Sequence, residues 1–444
     1  MKNLQKGDKK LLNAWAFYDW ANSVYTLTIA SAVFPIFYDS LFEKDQHYID
    51  VFGMHLKNTA LISFITAFAF LVVSFISPLL SGIADYVGNK KAFMKFFCYL
   101  GAASCMGLYW FNLENIYMGL GFYFLGLIGY WGSLVFYNSY LPDIAFEEQQ
   151  DSISAKGYSL GYIGSVILLV LNLAMIMKPD WFSIEGTATK SASDIAMRYS
   201  FVMVGVWWIL FSQYTYYYLP KGSKDTDDKL TKSVVFNGFK ELKKVWGLLK
   251  ENVALKRYLG GFFVSSMAVQ TVMLVATYFG AQEIKWSSKE EGTIGLITCI
   301  LIIQLVAVVG AVLTSKASSK FGNIPTLIFI NCIWAVSCGF AFLITLPMHF
   351  YIMATVAGFV MGGIQALSRS TYSKLLPETL DTASFFSFYD VAEKIGIVIG
   401  MCIYGIIDQR TGSPRSAFIV LGVFFVIAIF LLRRVPKKDT LKVS

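Results

Sequence analysis

Asp19, Asn22 and Ser23 lie in the run Trp15–Pro35, which is otherwise apolar enough to enter a membrane. A charged residue at the centre of a membrane helix costs roughly 2.5 to 3.5 kcal/mol, so such side chains face a protein interior or a water-filled cavity. Helical steps of four and three residues put Trp15, Asp19, Asn22 and Thr26 on one face, with Phe17, Val24 and Ile29 left for lipid or other helices. Further on, Tyr130, Gln270, Gln304, Gln365, Arg369, Asp390, Glu393 and Lys394 interrupt other apolar runs. Carboxylates in such surroundings can pair with a basic group, carry a proton or hold a cation. Amides and phenols can hydrogen-bond a solute or a neighbouring helix.

Membrane helices must position these groups. The chain is 56% hydrophobic and 15% charged over 444 residues, with a mean hydropathy of +0.57, which places it among membrane proteins. A helix needs about 20 apolar residues to cross the hydrocarbon core. That criterion predicts twelve spans, near 14–38, 58–80, 92–112, 116–140, 158–177, 198–219, 257–280, 293–314, 325–346, 350–372, 385–407 and 416–433. The expected class is an all-α integral membrane protein. If the N-terminus is cytoplasmic, the segments on that side hold 27 Lys and Arg against 9 opposite, so both termini are expected in the cytoplasm. The net charge of +8 therefore reads as loops facing anionic lipid and not as a nucleic-acid surface. All six cysteines fall in apolar runs without metal-ligand spacing and read as small core residues. The histidines 47, 55 and 349 fall in loops of the opposite side.

The segment Pro220–Lys256 splits the chain into an N-terminal unit, 1–219, and a C-terminal unit, 257–444, of six spans each. Within this linker, Val235, Phe239, Leu242, Trp246, Leu249 and Val253 recur at steps of four and three, which predicts an in-plane amphipathic helix. Two short matches point to an internal duplication. Asp85-Tyr86-Val87-Gly88-Asn89 parallels Ser319-Lys320-Phe321-Gly322-Asn323, and Leu141-Pro142-Asp143 parallels Leu376-Pro377-Glu378. The glycines are 234 residues apart and the prolines 235.

Gly82-Ile83-Ala84-Asp85-Tyr86-Val87-Gly88-Asn89-Lys90-Lys91 resembles the cytoplasmic loop motif of the major facilitator superfamily, with Tyr86 and Asn89 where basic residues are common in that motif. Its glycines suit a tight turn and Asp85 can cap or pair with a neighbouring helix end. Tyr18-Asp19-Trp20-Ala21-Asn22-Ser23, Leu141-Pro142-Asp143-Ile144 with Ser154-Ala155-Lys156-Gly157-Tyr158, and Gly362 to Ser370 resemble the branch called "unknown major facilitator", which includes the fungal autophagy-related vacuolar amino-acid effluxer. The resemblance implies two six-helix bundles working as a secondary transporter. It also implies that spans one, four, seven and ten line the cavity, bringing Asn22, Tyr25, Tyr130, Gln270, Gln365 and Arg369 towards it.

Counting 1.5 Å per residue along each span puts Asp19, Asp85, Arg369 and Asp390 in or beside the cytoplasmic half. Tyr25, Tyr130, Gln270, Gln304, Gln365 and Lys394 fall around the midplane. Asp19 admits three readings: a cytoplasmic-gate partner of Arg369 or Lys394, a proton carrier or ligand for a cationic group, and a helix-packing residue. Arg369 fits the gate or a position snorkelling to the surface. Asp390 and Lys394, four apart, either neutralise each other or serve the site. Glu393 points elsewhere on the helix and needs a partner or a cavity. The expected substrate-contacting set is Asn22, Tyr25, Tyr130, Gln270, Gln365 and Lys394. The expected gating or proton-coupling set is Asp19, Asp85, Arg369, Asp390 and Glu393.

No H-E-x-x-H, G-x-S-x-G or P-loop pattern occurs, so neither enzyme chemistry nor ATP-driven transport is expected, and no cofactor or metal. The expectation is a monomeric multi-pass protein of a bacterial cytoplasmic membrane. It moves a small polar solute such as an amino acid by alternating access, with protons as a candidate coupling ion. A lipid or lysolipid translocator and a non-transporting receptor or scaffold are the alternatives.

Overall fold

In the computed structural model the described residues are 4–42, 48–51, 53–187, 190–222, 232–411 and 413–436. In chain order the helices are α1 (Lys9–Val24), α2 (Val33–Ser40), α3 (Asn58–Val87), α4 (Lys90–Gly107), α5 (Ile116–Ser139), α6 (Leu141–Ile144), α7 (Glu147–Met177) and α8 (Ala192–Tyr218). They continue as α9 (Lys232–Glu251), α10 (Val253–Glu283), α11 (Lys289–Phe321), α12 (Asn323–Ala341), α13 (Pro347–Leu375), α14 (Thr382–Thr411) and α15 (Arg415–Arg433). Eleven spans among the described residues are long and apolar enough to cross a membrane. The predicted span 385–407 is helical too, as α14, but Asp390, Glu393 and Lys394 in its first half make it too charged to count among the eleven.

The first span is not one regular helix. Between α1 and α2 the chain winds as a π-helix over Tyr25–Ala32, and the Val33 N–H reaches the Thr28 carbonyl five residues back. Thr26 Oγ1 donates to the Ser23 carbonyl at 2.9 Å, competing with the backbone ladder where the wider turn begins. Such widened turns are frequent at functional sites. The all-α expectation also needs amending, because β1 (Tyr48–Val51) and β2 (Met54–Lys57) form an antiparallel hairpin pairing Tyr48 with Lys57 and Val51 with Met54. Gly53 turns it at a φ of 72°. His55 therefore sits on a strand and His349 inside α13, while His47 lies outside the described residues. Cys332 and Cys402 are exposed, not core, since a lipid-facing side needs no burial in protein.

The two matched glycines do the same work. Gly88 follows α3 at a φ of 73° and Gly322 follows α11 at 86°, both positive values that favour glycine. Helices α4 and α12 start within two residues of them.

The buried apolar side chains form two large clusters. One draws on residues 11 to 219 with Ala383, and the other on 245 to 435 with Tyr162. Helices α3 and α5 meet α14, and α7 meets α11 and α13, across the boundary between the two. One end of the bundle gathers the linker and both tails: the Gly7 N–H donates to the Ile144 carbonyl at 2.7 Å, the Lys91 N–H to the Lys221 carbonyl at 3.1 Å, and Arg257 to the Arg434 carbonyl at 2.8 Å. We call this the linker end.

Helix α9 packs on α3. Of its predicted apolar stripe Leu249 is buried and Leu242 half-buried, Trp246 is exposed at the edge of Phe388, and Val253 opens α10. Val245, outside that stripe, is the fully buried contact. The side chains of Val235 and Phe239 lie outside the described residues.

Helices α11 and α13 approach closely because glycine lines their contact. A Cβ on Gly362 would collide with the backbone of Ala307, whereas one on Gly339 of α12 would meet nothing. Gly362→Ala should therefore cost about 1 to 3 kcal/mol of stability, and Gly339→Ala should be neutral or slightly stabilising. Thermal unfolding of the two purified variants in detergent checks the contrast.

Candidate functional site

At the linker end one buried side chain makes a dense set of contacts between the two parts of the chain. Arg369 of α13 is buried (1% exposed), and its polar and aromatic partners come from α1, α5 and α7. Its Nη1 and Nη2 each donate to Asp19 Oδ2 at 3.2 Å, Nη1 also to Asn138 Oδ1 at 3.2 Å, Nε to Ser154 Oγ at 2.9 Å and Nη2 to the Ser154 carbonyl at 2.9 Å. The guanidinium plane lies 4.2 Å from the Tyr158 ring, 4.8 Å from Trp15 and 5.4 Å from Tyr137. Asp19 (4% exposed) also accepts from the Tyr137 hydroxyl at 2.8 Å. Trp15 stacks on Tyr137 at 4.6 Å and donates from Nε1 to its carbonyl, which ties two walls of the cage together independently of Arg369. A methyl at Gly157 would overlap Asp19 Oδ2, which makes this glycine a condition of the ion pair. Burying a guanidinium is tolerable only when its donors are satisfied, and four of these contacts use a planar fork that lysine lacks.

Two further acids join the clusters at the same end. Asp85, at the close of α3, accepts from the backbone N–H groups of Ala383 and Ser384 at 3.2 and 2.7 Å, where α14 begins. Exposed helix-start N–H groups and the helix dipole favour a carboxylate there. Lys90 beside it pairs with Asp143 and donates to Thr382 at 2.8 Å. In the second repeat the acid stands on the other partner. Ser318 in the last turn of α11 and Asn323 at the start of α12 donate at 2.8 and 2.9 Å to Asp151 near the start of α7, and Lys374 pairs with Asp151 at 2.7 Å.

Deeper in, the polar residues form a looser set. Tyr25 stacks on Tyr130 at 5.0 Å, and the buried Tyr25 hydroxyl and Asn22 Nδ2 have no protein partner. Tyr162 of α7, which belongs to the second cluster, donates to Gln365 Oε1 of α13 at 2.6 Å. Lys394, fully buried, donates to Asp390 at 2.6 Å and Glu393 at 3.1 Å, and Gln270 donates to Glu393 at 2.8 Å.

Of the open readings for Asp19, the pairing partner is Arg369 and not Lys394, which serves Asp390 and Glu393 instead. Arg369 does not snorkel, because its donors are consumed inside the protein. Glu393 does not point away from Lys394: the flexible lysine reaches both its i−4 neighbour and the residue before it. Asp85 sits apart from Asp19 and Arg369, at the start of α14. Sequence reasoning missed Tyr137, Asn138 and Asp151 as partners, and Ser154 and Asp143 entered only as motif letters. The predicted fifth span starts near 158, whereas α7 begins at Glu147. That early polar turn is what carries Asp151 and Ser154 to the second cluster, and a hydropathy criterion discards it.

The family described as "Vacuole effluxer Atg22 like" matches residues 7–442. The MFS-type transporter YxiO of Bacillus subtilis is 30% identical, covering 99% of this chain and 98% of its own length. Autophagy-related protein 22 of Kluyveromyces lactis is 23% identical over 95% of this chain and 92% of its own. Among solved structures the Escherichia coli fucose:proton symporter superposes with a TM-score of 0.69 at 15% identity, covering 97% and 98% of the two chains. A proton:xylose symporter gives a TM-score of 0.66 at 16% identity, covering 96% and 95%. These two establish the shared fold.

The cage also yields a direct expectation. Breaking one partner of a buried ion pair costs about 3 to 5 kcal/mol. Asp19→Asn should therefore leave the bundle folded but populate an opened linker end. A cysteine replacing Ser370, which is fully buried beside Arg369, should react with a maleimide at least about ten-fold faster in the Asp19→Asn background. Equal labelling rates would show that the pair does not hold this end closed.

Proposed function

We propose, on the premise that this chain belongs to the Atg22-like vacuole effluxer family of major facilitator transporters, that it moves a small polar organic solute by alternating access. An amino acid or a related metabolite is the class we favour, since the relatives described as effluxers and transporters favour transport over a lipid-moving or scaffold role. The protein is a multi-pass membrane protein, and we assign it to a bacterial cytoplasmic membrane as a monomer. The linker end and both termini are taken as cytoplasmic on the distribution of Lys and Arg. We divide it into bundles 1–219 and 257–444 joined by the linker 220–256.

The observation that carries this reading is the enclosure of Arg369 of one half by Trp15, Asp19, Tyr137, Ser154 and Tyr158 of the other. Opening the cytoplasmic side requires every one of those contacts to break together. Such a contact is bistable, as a rocking cycle needs. Asp85 and Asp151, each bridging the halves at equivalent loops, divide the remaining load. Above the closed end, the unpartnered Asn22 and Tyr25 groups, with Tyr130, Gln365 and Gln270, offer donors and acceptors to a solute. The π-helical turn places Tyr25 where the first span departs from regular geometry. When Arg369 withdraws, Asp19 is the carboxylate left to take a coupling proton.

The test is flux in proteoliposomes with and without an imposed pH gradient. A soluble metabolite should move, faster with the gradient, and Asp19→Asn should abolish the gradient's effect while solute exchange continues. Intact proton dependence in Asp19→Asn removes that residue from coupling. Movement of labelled lysolipid with no soluble metabolite contradicts the substrate class.

A further inference from the structure

The triad of Asp390, Glu393 and Lys394 is one cation short. Two carboxylates share one ammonium, Lys394 Nζ lying 2.6 Å from Asp390 Oδ1 and 3.1 Å from Glu393 Oε2. The second oxygen of Glu393 is satisfied by Gln270 at 2.8 Å. Asp390 Oδ2 is buried with no partner, on a residue only 6% exposed. A buried carboxylate oxygen left without a donor is costly, and three charges that sum to minus one in a span raise the cost.

The triad also has an aromatic wall from the other half. Lys394 Nζ stands 3.6 Å from the centre of the half-buried Trp131 ring on α5. Carboxylates opposite an indole face around a primary ammonium make a recognition site for that group. Here the chain's own lysine occupies it. Tyr130, next in sequence to Trp131, meets it edge-on at 5.1 Å and stacks on Tyr25, so the wall is continuous with the unpartnered polar groups of α1 and its π-helical turn.

We propose that Asp390 and Glu393, walled by Trp131, form the recognition site for a primary ammonium on the transported solute, and that Lys394 is its resident competitor. The inference rests on the transport reading and narrows it to amine-bearing solutes. In the empty protein Lys394 neutralises one carboxylate and covers the indole. An arriving ammonium takes the free Asp390 oxygen and displaces Lys394 from the ring. An acid or a sugar lacking an amine gains neither contact.

The experiment uses the full chain. Thermal shift and proteoliposome uptake are measured for free L-amino acids, the same compounds N-acetylated, and the matching monocarboxylates. The wild-type chain should respond to the free amines alone. Lys394→Gln should bind them roughly ten-fold more tightly, and Trp131→Leu about ten-fold more weakly. Glu393→Gln combined with Lys394→Gln keeps the net charge of the triad and should bind at least as tightly as wild type, which covers the case in which the single variant fails to fold. Equal response to N-acetylated and free compounds overturns the ammonium site and leaves transport standing. Loss of amine binding in both folded lysine variants does the same, by making Lys394 a ligand and not a competitor. No movement of any solute by the wild-type chain overturns both readings.

Discussion

A guanidinium cannot be left unsatisfied inside a membrane protein, and the closed end of this molecule is arranged around that constraint. Arg369 brings five N–H donors from one half into the interior of the other, where Asp19, Asn138 and Ser154 accept them and three aromatic rings wall them in. Desolvation makes the ion pair a poor source of net stability. Its value lies in being all-or-none, since partial withdrawal would strand charge in a low-dielectric interior. Gly157, the stacked Trp15 and Tyr137, and the early start of α7 all serve that geometry.

The two matched sequence stretches agree in backbone more than in side chains. Gly88 and Gly322 both take a positive φ, yet the acid at each connection sits in the last turn of α3, as Asp85, in one and on the facing helix, as Asp151, in the other. What persists is a carboxylate meeting donors across the boundary, whichever element supplies it. Loops at this end can thus diverge in sequence while the closing contact survives.

Much of the fold was legible because membrane helices announce themselves by hydropathy. The exceptions share a cause. Polar turns that extend a helix, as at Glu147, carry no hydropathy signal, and that turn supplies Asp151 and Ser154. The hairpin before α3 was missed since its eight paired residues are too few to stand out between apolar runs. Asp19 and Arg369 were legible as costly charges, but their cage was not: Tyr137 and Asn138 sit more than a hundred residues from Asp19, and nothing local marks them as its neighbours. Asp390 and Lys394 were legible as an i,i+4 pair, whereas the oxygen without a donor and the indole across the boundary appear only in three dimensions.

The central claim is that Arg369 sets the position of the two halves at the linker end. Electron–electron distance measurement between spin labels at the exposed positions Lys156 on α7 and Lys316 on α11 addresses it most directly. The account predicts one narrow, short distance in the solute-free protein and a second, longer population when Arg369 is replaced by Met. An unchanged single distance in the Met variant would contradict it.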